Sequence, residues 1–268
     1  MRIEDINNEV IGQDIIVEEL KGILNSIIND DRNYNLLIVG GSGMGKSYLL
    51  KIIANIFGVR NCLSYDPENI LFESSLRFHF IDEVHLLENP EKLYNLLDSN
   101  EFTFIFATNE YGKIKEPLLN RCITLVLNPY TENDLIEMAK YYLNLEGFYS
   151  LDSEIYKSIS AVSRDNPRRL IEIVRRLSII FRESGIPNNI NSLDYLLMSI
   201  GVDPKTGFTL WDRQYLEFLS SVGNASLNTI SYSTGIDKSF ITKYIEPFLI
   251  KNNYIRITHK GRVICQES

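Results

Sequence analysis

Cysteine is scarce in this chain. Cys62, Cys122 and Cys265 stand alone, without metal-ligand spacing and without the even count of a disulfide framework, which argues for a reducing compartment and against structural zinc. Histidine is as sparse, and His79, His85 and His259 form no ligand cluster. No stretch approaches the roughly 18 uninterrupted apolar residues of a membrane span, and the start Met1-Arg-Ile-Glu-Asp5 lacks a secretory apolar core. The expectation is a soluble cytoplasmic protein without a membrane partner. Repeats and low-complexity tracts are missing too, and an excess of Asn and Ile carries no functional reading.

Positive charge is also in deficit: 27 Lys and Arg against 35 Asp and Glu give a formal −8. That balance argues against a chain that coats nucleic acid with its whole surface. The deficit is uneven, since beyond position 237 Lys238, Lys243, Lys251, Arg256, Lys260 and Arg262 face only Glu246 and Glu267. That end carries +4 and the preceding residues −12. Either nucleic acid meets the C-terminal end locally, or the asymmetry is solvated surface charge.

Against these absences stands one dense motif. Gly40-Gly41-Ser42-Gly43-Met44-Gly45-Lys46-Ser47 directly follows the apolar run Leu36-Leu-Ile-Val39, where a nucleotide phosphate-binding loop has to sit. Glycines let consecutive backbone N–H groups turn toward the β- and γ-phosphates, Lys46 adds a point charge, and the Ser47 hydroxyl ligates Mg²⁺. A helix over roughly 46–56 aims its positive dipole end at the same phosphates.

A chain of 268 residues exceeds one simple core and should form two or three compact units. Short apolar strands at 36–40, 61–65, 77–81, 102–107 and 122–127 alternate with helical stretches, the pattern of a mostly parallel sheet. After Asn128-Pro129 the pattern turns helical, and 167–181 places Leu170, Ile173, Val174, Leu177, Ile180 and Phe181 on one face,. Gly185-Ile-Pro-Asn-Asn189 interrupts it, an apolar helix at 192–199 follows, and the turn-rich Gly201–Gly207 makes the best boundary,. Beyond it Thr209-Leu-Trp-Asp212 fits a capping box. Further helices are expected near 227–231 and from Asp237, and Tyr254–Thr258 and Arg262–Cys265 read as a hairpin about a three-residue loop, His259-Lys-Gly261,. Three helices and a terminal hairpin make a winged helix. The expected domains are 1–128, 129–200 and 205–268.

Phe78-His-Phe-Ile-Asp82-Glu83 is an apolar strand ending in two carboxylates. Alone they could as well be solvated turn residues; downstream of a phosphate loop, Asp82 orients the metal and Glu83 is the general base. The next strand ends in Thr108-Asn109, where a polar side chain either positions water or γ-phosphate or caps a turn. Arg121, just before the fifth strand, either reaches a neighbouring subunit's nucleotide in a ring or is a surface charge. Arg168, after Asn166-Pro167 at a helix start, can reach bound nucleotide, while Arg169, Arg175 and Arg176 fit a solvated face.

Together, Val10-Ile-Gly-Gln13, Asp82-Glu-Val-His85, Ala107-Thr-Asn109, Pro117-Leu-Leu-Asn-Arg121 and Ser163-Arg-Asp-Asn-Pro-Arg168 resemble the AAA+ ATPases. Gly201-Val-Asp203, Tyr244-Ile-Glu-Pro-Phe-Leu-Ile250 and Lys260-Gly-Arg262 resemble the C-terminal domain of the RuvB family, bacterial motors of Holliday-junction branch migration. The resemblance covers nearly the whole chain. It implies an α/β fold: a P-loop AAA+ domain with a parallel five-stranded sheet, a helical lid and a C-terminal winged helix domain. It further implies ATP and Mg²⁺ as cofactors, a homo-oligomeric ring, hexameric in the family, and duplex or branched DNA as partner. By motif match, Lys46 and Ser47 hold phosphate and Mg²⁺, Asp82 and Glu83 are the Walker B pair with Asp82 serving the metal, Asn109 is the first sensor, Arg121 the trans-acting finger and Arg168 the second sensor. Ile11, Gly12 and Tyr130 border the adenine. Gly40, Gly41, Ser42, Gly43, Met44, Gly45, Tyr48 and Pro167 complete the nucleotide set, and Thr258, Lys260 and Arg262 meet DNA phosphates or the minor groove.

The departures matter as much. Thr108 follows Glu83 by only 25 positions, where RuvB inserts a protruding β-hairpin that grips its partner RuvA. This chain has no room for that hairpin, so the RuvA partnership does not carry over. The stretch between phosphate loop and Asp82 is short as well and leaves little length for a DNA-gripping loop. Asn109 replaces the threonine usual in RuvB and is closer to clamp loaders. Three functions compete: a DNA motor of the RuvB type, an ATP-dependent clamp- or helicase-loader-like switch, and a non-DNA assembly ATPase whose winged helix binds protein.

Overall fold

A computed structural model describes residues 2–30, 32–68, 75–186 and 190–265. The chain divides into two compact units, Met1–Met138 with Asp165–Arg169, and Ala139–Arg164 with Leu170–Ser268. In the first, α1 (Ile6–Glu9) and α2 (Asp14–Asn29) precede β1 (Leu36–Val39), α3 (Lys46–Phe57), β2 (Cys62–Tyr65), β3 (Phe78–Ile81), α4 (Tyr94–Leu97), β4 (Thr103–Thr108), α5 (Glu116–Leu119), β5 (Ile123–Val126) and the start of α6 (Glu132–Leu145). All five expected strands form, each within about a residue of its expected bounds. They pair in parallel in the order β2-β3-β4-β1-β5.

Both faces of this sheet are covered, as a parallel sheet requires. Leu36, Ile38 and Ile105 pack with Leu20 and Leu24 of α2 and Ile53 of α3. Their neighbours of opposite parity, Leu37, Phe104 and Phe106, pack with Leu93, Leu97 and Leu118. The strands are therefore nearly continuous apolar runs, which is what made them legible in the sequence. Pairing sets Val39 against Thr108 and Ile81 against Phe106, so the carboxyl ends of β1, β3 and β4 lie side by side. Between β3 and β4 the chain makes only 3-10 turns at Val84–Leu86 and Pro90–Leu93 and the single-turn α4. No hairpin stands there. Residues 69–74, where the short stretch ahead of Asp82 runs, lie outside the described residues.

The second unit holds the rest of α6, α7 (Ser153–Val162), most of α8 (Pro167–Ser184), α9 (Ile190–Ser199), α10 (Leu210–Val222), β6 (Asn224–Ala225), α11 (Leu227–Thr234), α12 (Lys238–Phe240), a π turn at Ile241–Ile245, α13 (Glu246–Lys251), β7 (Ile255–Thr258) and β8 (Gly261–Ile264). The apolar face of α8 is buried at Leu170, Ile173, Val174, Leu177 and Phe181. α8 stops at Gly185, with φ of 83°; Pro187, Asn188 and Asn189 of the expected interruption lie outside the described residues. No described helix is long and apolar enough to cross a membrane.

The C-terminal part forms as expected in outline and differs in three details. The segment 201–207 is an ordered turn: Asp203 Oδ1 accepts from the amides of Lys205 and Thr206, both at 2.9 Å, and Val202 bridges to Thr209. Helix 238–251 widens into its π turn just before Pro247, because proline brings no N–H and crowds the preceding turn. The hairpin loop is His259-Lys260 alone, since Gly261 already pairs with Thr258 in the ladder. Gly261 is required there: a Cβ would fall 2.4 Å from the Ala225 carbonyl oxygen, where β6 adds a third strand.

Arg262 also departs from expectation. Its guanidinium is turned onto Glu246, with Nε 2.8 Å from Oε1 and a second bond to Oε2 at 3.2 Å, while the Tyr215 hydroxyl donates to Oε1 at 2.9 Å. Glu246 and Tyr215 are buried. Burial, and next the Glu246 charge, push the Tyr215 phenol far above its usual range, and the Glu246 bond raises Arg262. Arg262 is thus an internal strut of the winged helix and not a free cation for DNA. Removing one partner of such a buried pair costs about 3–5 kcal/mol, so Arg262→Ala should lower unfolding stability by about 3 kcal/mol in urea titrations followed by Trp211, the sole tryptophan. A loss below about 0.5 kcal/mol, the ordinary range for a surface substitution, rejects the strut.

Candidate nucleotide site

The loop between β1 and α3 is shaped by glycine. Gly43 and Gly45 have φ of 82° and 90°, left-handed values that turn successive N–H groups to one side. Gly43 also faces a close neighbour, for a Cβ there would lie 2.4 Å from Asn166 Oδ1. Gly40 and Gly41 carry the carbonyls on which Lys46 folds, its Nζ 2.9 and 3.1 Å from their oxygens. Lys46 is buried; burial pulls its pKa below the ordinary lysine value, the Glu83 and Asp82 carboxylates oppose that, and Arg168 adds to it. An ammonium held against a loop whose left-handed glycines turn N–H groups to one side is a cradle for a polyphosphate. Met44 braces the loop, accepting from the Gly41 amide through Sδ at 3.0 Å.

Ser47, in the first turn of α3, donates its hydroxyl to Asp82 Oδ2 at 2.5 Å, and Asp82 Oδ1 accepts from the Glu83 amide at 2.9 Å. Among the described residues no group of three His, Cys, Asp or Glu side chains gathers as a metal cage. Ser47 and Asp82 fit a Mg²⁺ ion that draws its remaining ligands from phosphates and water. Glu83 has φ of 51°, a strained value for a non-glycine residue, and its Oε2 is buried without a hydrogen-bond donor. A carboxylate oxygen so left is suited to take a proton from a bound water.

His85 is the residue that reasoning from sequence missed. Its Nδ1 lies 3.1 Å from Thr108 Oγ1 and 3.4 Å from Glu83 Oε2, and its Nε2 lies 3.4 Å from Glu110 Oε1. The contact with Glu83 is within ion-pair distance but off hydrogen-bond direction, so Thr108 is the better partner. Asn109, expected to be the sensor, is exposed just past β4, whereas Thr108 is fully buried and turned to His85. The Asp-Glu-Val-His spelling was the available signal, and a lone histidine in it pointed to no partner until β3 and β4 were paired.

The Tyr130 hydroxyl donates to the Met44 carbonyl at 3.0 Å, and Gly12, with φ of 72°, passes so close to Asp134 that a Cβ would lie 2.6 Å from its Cγ. Gln13, buried, exchanges two bonds with the Asn128 backbone at 2.8 and 2.9 Å, which seats Ile11 and Gly12 beside the end of β5. Tyr48 turns away to Glu9 at 2.8 Å. Asn166 donates to the Ser42 carbonyl at 3.2 Å and caps α8 by accepting from the amides of Arg168 and Arg169 at 3.0 and 3.3 Å. Pro167 is buried, and the Arg168 side chain is exposed.

Arg121 sits apart from this cluster, bound to both Asp98 oxygens and to the Pro117 carbonyl and stacked 4.8 Å over Tyr94. Asn35 fixes its backbone, donating to the Arg121 carbonyl at 3.2 Å and the Leu97 carbonyl at 3.1 Å. In the second unit, Thr258 orders the hairpin turn through bonds with Gly261 and Lys260, and Lys260 and Arg256 are exposed. Burial pushes Cys62 up to about 11 and Cys122 up to about 12, so neither is a thiolate nucleophile near neutral pH.

The chain is similar to known proteins over most of its length. Residues 205–268 match the model of the RuvB C-terminal winged helix domain. The Holliday junction branch migration complex subunit RuvB of Mycoplasma genitalium is 30% identical, with 96% of this chain and 93% of that protein covered. The protein of the same name from Campylobacter hominis is 31% identical, with 97% and 87% covered. The alignment to the Mycoplasma protein runs over 294 positions against 268 residues here, so the relative carries insertions this chain lacks. Among solved structures, the Thermotoga maritima RuvB Holliday junction branch migration motor superposes with a TM-score of 0.78 at 24% identity, covering 96% of this chain and 93% of that one. Domain III of the replication initiation protein DnaA from Thermotoga maritima superposes with a TM-score of 0.52 at 20% identity over 66% of this chain.

Alanine at position 43 forces a left-handed backbone worth about 1–2 kcal/mol and displaces Asn166. Gly43→Ala is expected to weaken binding of a fluorescent ATP analogue about tenfold, which is 1.4 kcal/mol; unchanged affinity rejects the close approach as a requirement. His85→Ala should lower kcat about tenfold through a misplaced Glu83 while KM stays within about twofold. A change in KM alone would show that His85 serves binding instead.

Proposed function

The chain belongs to the RuvB family of AAA+ ATPases, and from that membership we propose that it is an ATP-hydrolysing motor that drives branch migration of Holliday-junction DNA in the cytoplasm. The observation that carries the reading is the joining of Ser47 to Asp82 beside Lys46 and an undonated Glu83 oxygen. Lys46 leaves the Gly40 and Gly41 carbonyls to meet the β- and γ-phosphates, and the loop amides from Gly41 to Ser47 complete their cradle. When bound, Mg²⁺ neutralises charge on the phosphates, and Ser47 and Asp82 are the residues that would hold it. Glu83 takes the proton of the attacking water at Oε2. Ile11, Gly12 and Tyr130 border the base. Arg168, on the capped end of α8, supplies a second cation.

Arg121 is the residue that acts in trans. Its carboxylate partner holds it extended at the surface, with 29% of the side chain exposed, so a neighbour's γ-phosphate can compete with Asp98 for the same fork. A homo-oligomeric ring, hexameric as the family implies, follows from that role. DNA is met by the hairpin of the winged helix, at Lys260, Thr258 and the exposed Arg256, with Arg262 bracing the strand behind them. The domains are taken as 1–128 for the ATPase, 129–200 for the lid and 205–268 for the winged helix. The absence of a hairpin between β3 and β4 removes the known grip on RuvA, so coupling to a junction runs through another partner or through DNA directly. Family membership does not favour the loader or the protein-binding alternative.

Steady-state ATP hydrolysis across protein concentration, with and without duplex and four-way-junction DNA, tests the reading. Specific activity is expected to rise with concentration and again with junction DNA. Lys46→Ala abolishes it, Glu83→Gln binds ATP but turns over at least about 100-fold more slowly, and Arg121→Ala is inactive yet rescued in mixtures with Lys46→Ala. Activity that is flat in concentration and indifferent to DNA sinks the motor.

A further inference from the structure

Ser163-Arg-Asp-Asn-Pro-Arg168 crosses from one compact unit to the other between Arg164 and Asp165, and each side of that crossing is anchored. On the far side, Asn166 holds the Ser42 carbonyl of the phosphate loop and lies where a Cβ on Gly43 would collide with it. On the near side, Arg164 grips the winged helix with its whole guanidinium. Nη1 reaches Asp212 Oδ1 at 3.2 Å, Nη2 pairs with Asp212 Oδ2, Nε and Nη2 donate to the Gly207 carbonyl at 3.2 and 2.8 Å, and the fork lies 3.9 Å over the Phe248 ring. Asp212 is fully buried and also closes the capping box of α10 with Thr209. Three parts of the winged helix, its entry turn, its first helix and α13, therefore share one cation that is only two residues from the phosphate-loop contact.

Arg164 and Asp165 both hold left-handed backbone, φ 59° and 55°, which non-glycine residues keep only where their surroundings fix them. Resting on the ATP reading above, we propose that Arg164 is a positioning residue that transmits the state of the phosphate loop to the winged helix. When phosphates enter the loop and shift Ser42 and Gly43, Asn166 moves with them, and the displacement passes through Asp165 to Arg164. Arg164 cannot swing aside to absorb it without stranding the buried Asp212 carboxylate. A lysine offers no fork for both carboxylate oxygens and the Gly207 carbonyl together.

Hydrogen exchange of the full chain with and without ATPγS and Mg²⁺ tests this. In the wild type, nucleotide should protect 43–49 and change exchange across 207–213 by about threefold or more. Arg164→Lys should keep the first response and lose the second. A merely structural Arg164 predicts the opposite pattern, raised exchange at 207–213 in both states with the nucleotide difference intact, and that result overturns the proposal. Asp212→Asn, which keeps an oxygen for the Thr209 cap, serves if the lysine variant does not fold and should also lose the second response. Protection of 43–49 without any response at 207–213 in the wild type overturns the coupling alone. No protection at 43–49 takes down the ATP reading and this inference with it.

Discussion

The 2.5 Å bond from the Ser47 hydroxyl to the Asp82 carboxylate joins residues 35 apart in the chain, and the strand order is what makes it. β1 and β3 flank β4, so the loop leaving β1 and the carboxylates ending β3 emerge at one edge of the sheet. A second strand between them, in addition to β4, would widen the gap by about 4.8 Å, too far for the same residues to share a cation. The apolar runs that cover both faces of the sheet thus do chemical duty as well, because they hold the register that sets Val39 and Ile81 beside Thr108 and Phe106.

Around that bond, polar groups are arranged by contacts that exclude side-chain bulk. Gly43 and Gly12 are both left-handed glycines pressed on a side chain at a helix start, Asn166, which caps α8, and Asp134, whose carboxylate accepts from the Thr131 amide ahead of α6. Each brings a helix N-terminus, with its unpaired amides and positive dipole end, up to the nucleotide loop or the segment beside it. Lys46 and Glu83 Oε2 are withdrawn from solvent beside it, where fixed dipoles act more strongly on charge than they do in water.

The winged helix follows a different economy of charge. Arg262 is paired inside it with Glu246, and Arg164, from outside it, pairs with its buried Asp212, while Lys238, Lys243, Lys251, Arg256 and Lys260 stand exposed at its surface. The Arg262–Glu246 pair is neutral, so taking it out leaves the local excess of +4 unchanged.

Much of the nucleotide site was legible because its chemistry is written in contiguous segments: the glycine loop with Lys46 and Ser47, and the apolar strand with Asp82 and Glu83. Continuous apolar runs gave the five strands, and period-3.6 burial gave α8, by the same local logic. What stayed hidden depends on pairing between distant segments. The partner of His85 is Thr108, the partner of Arg262 is Glu246, and the partner of Arg164 is Asp212, and no local pattern names any of these. Charge and residue type decide that a group wants a partner; only the folded chain decides which, because desolvation and hydrogen-bond geometry act at distances of a few ångströms that sequence separation does not encode.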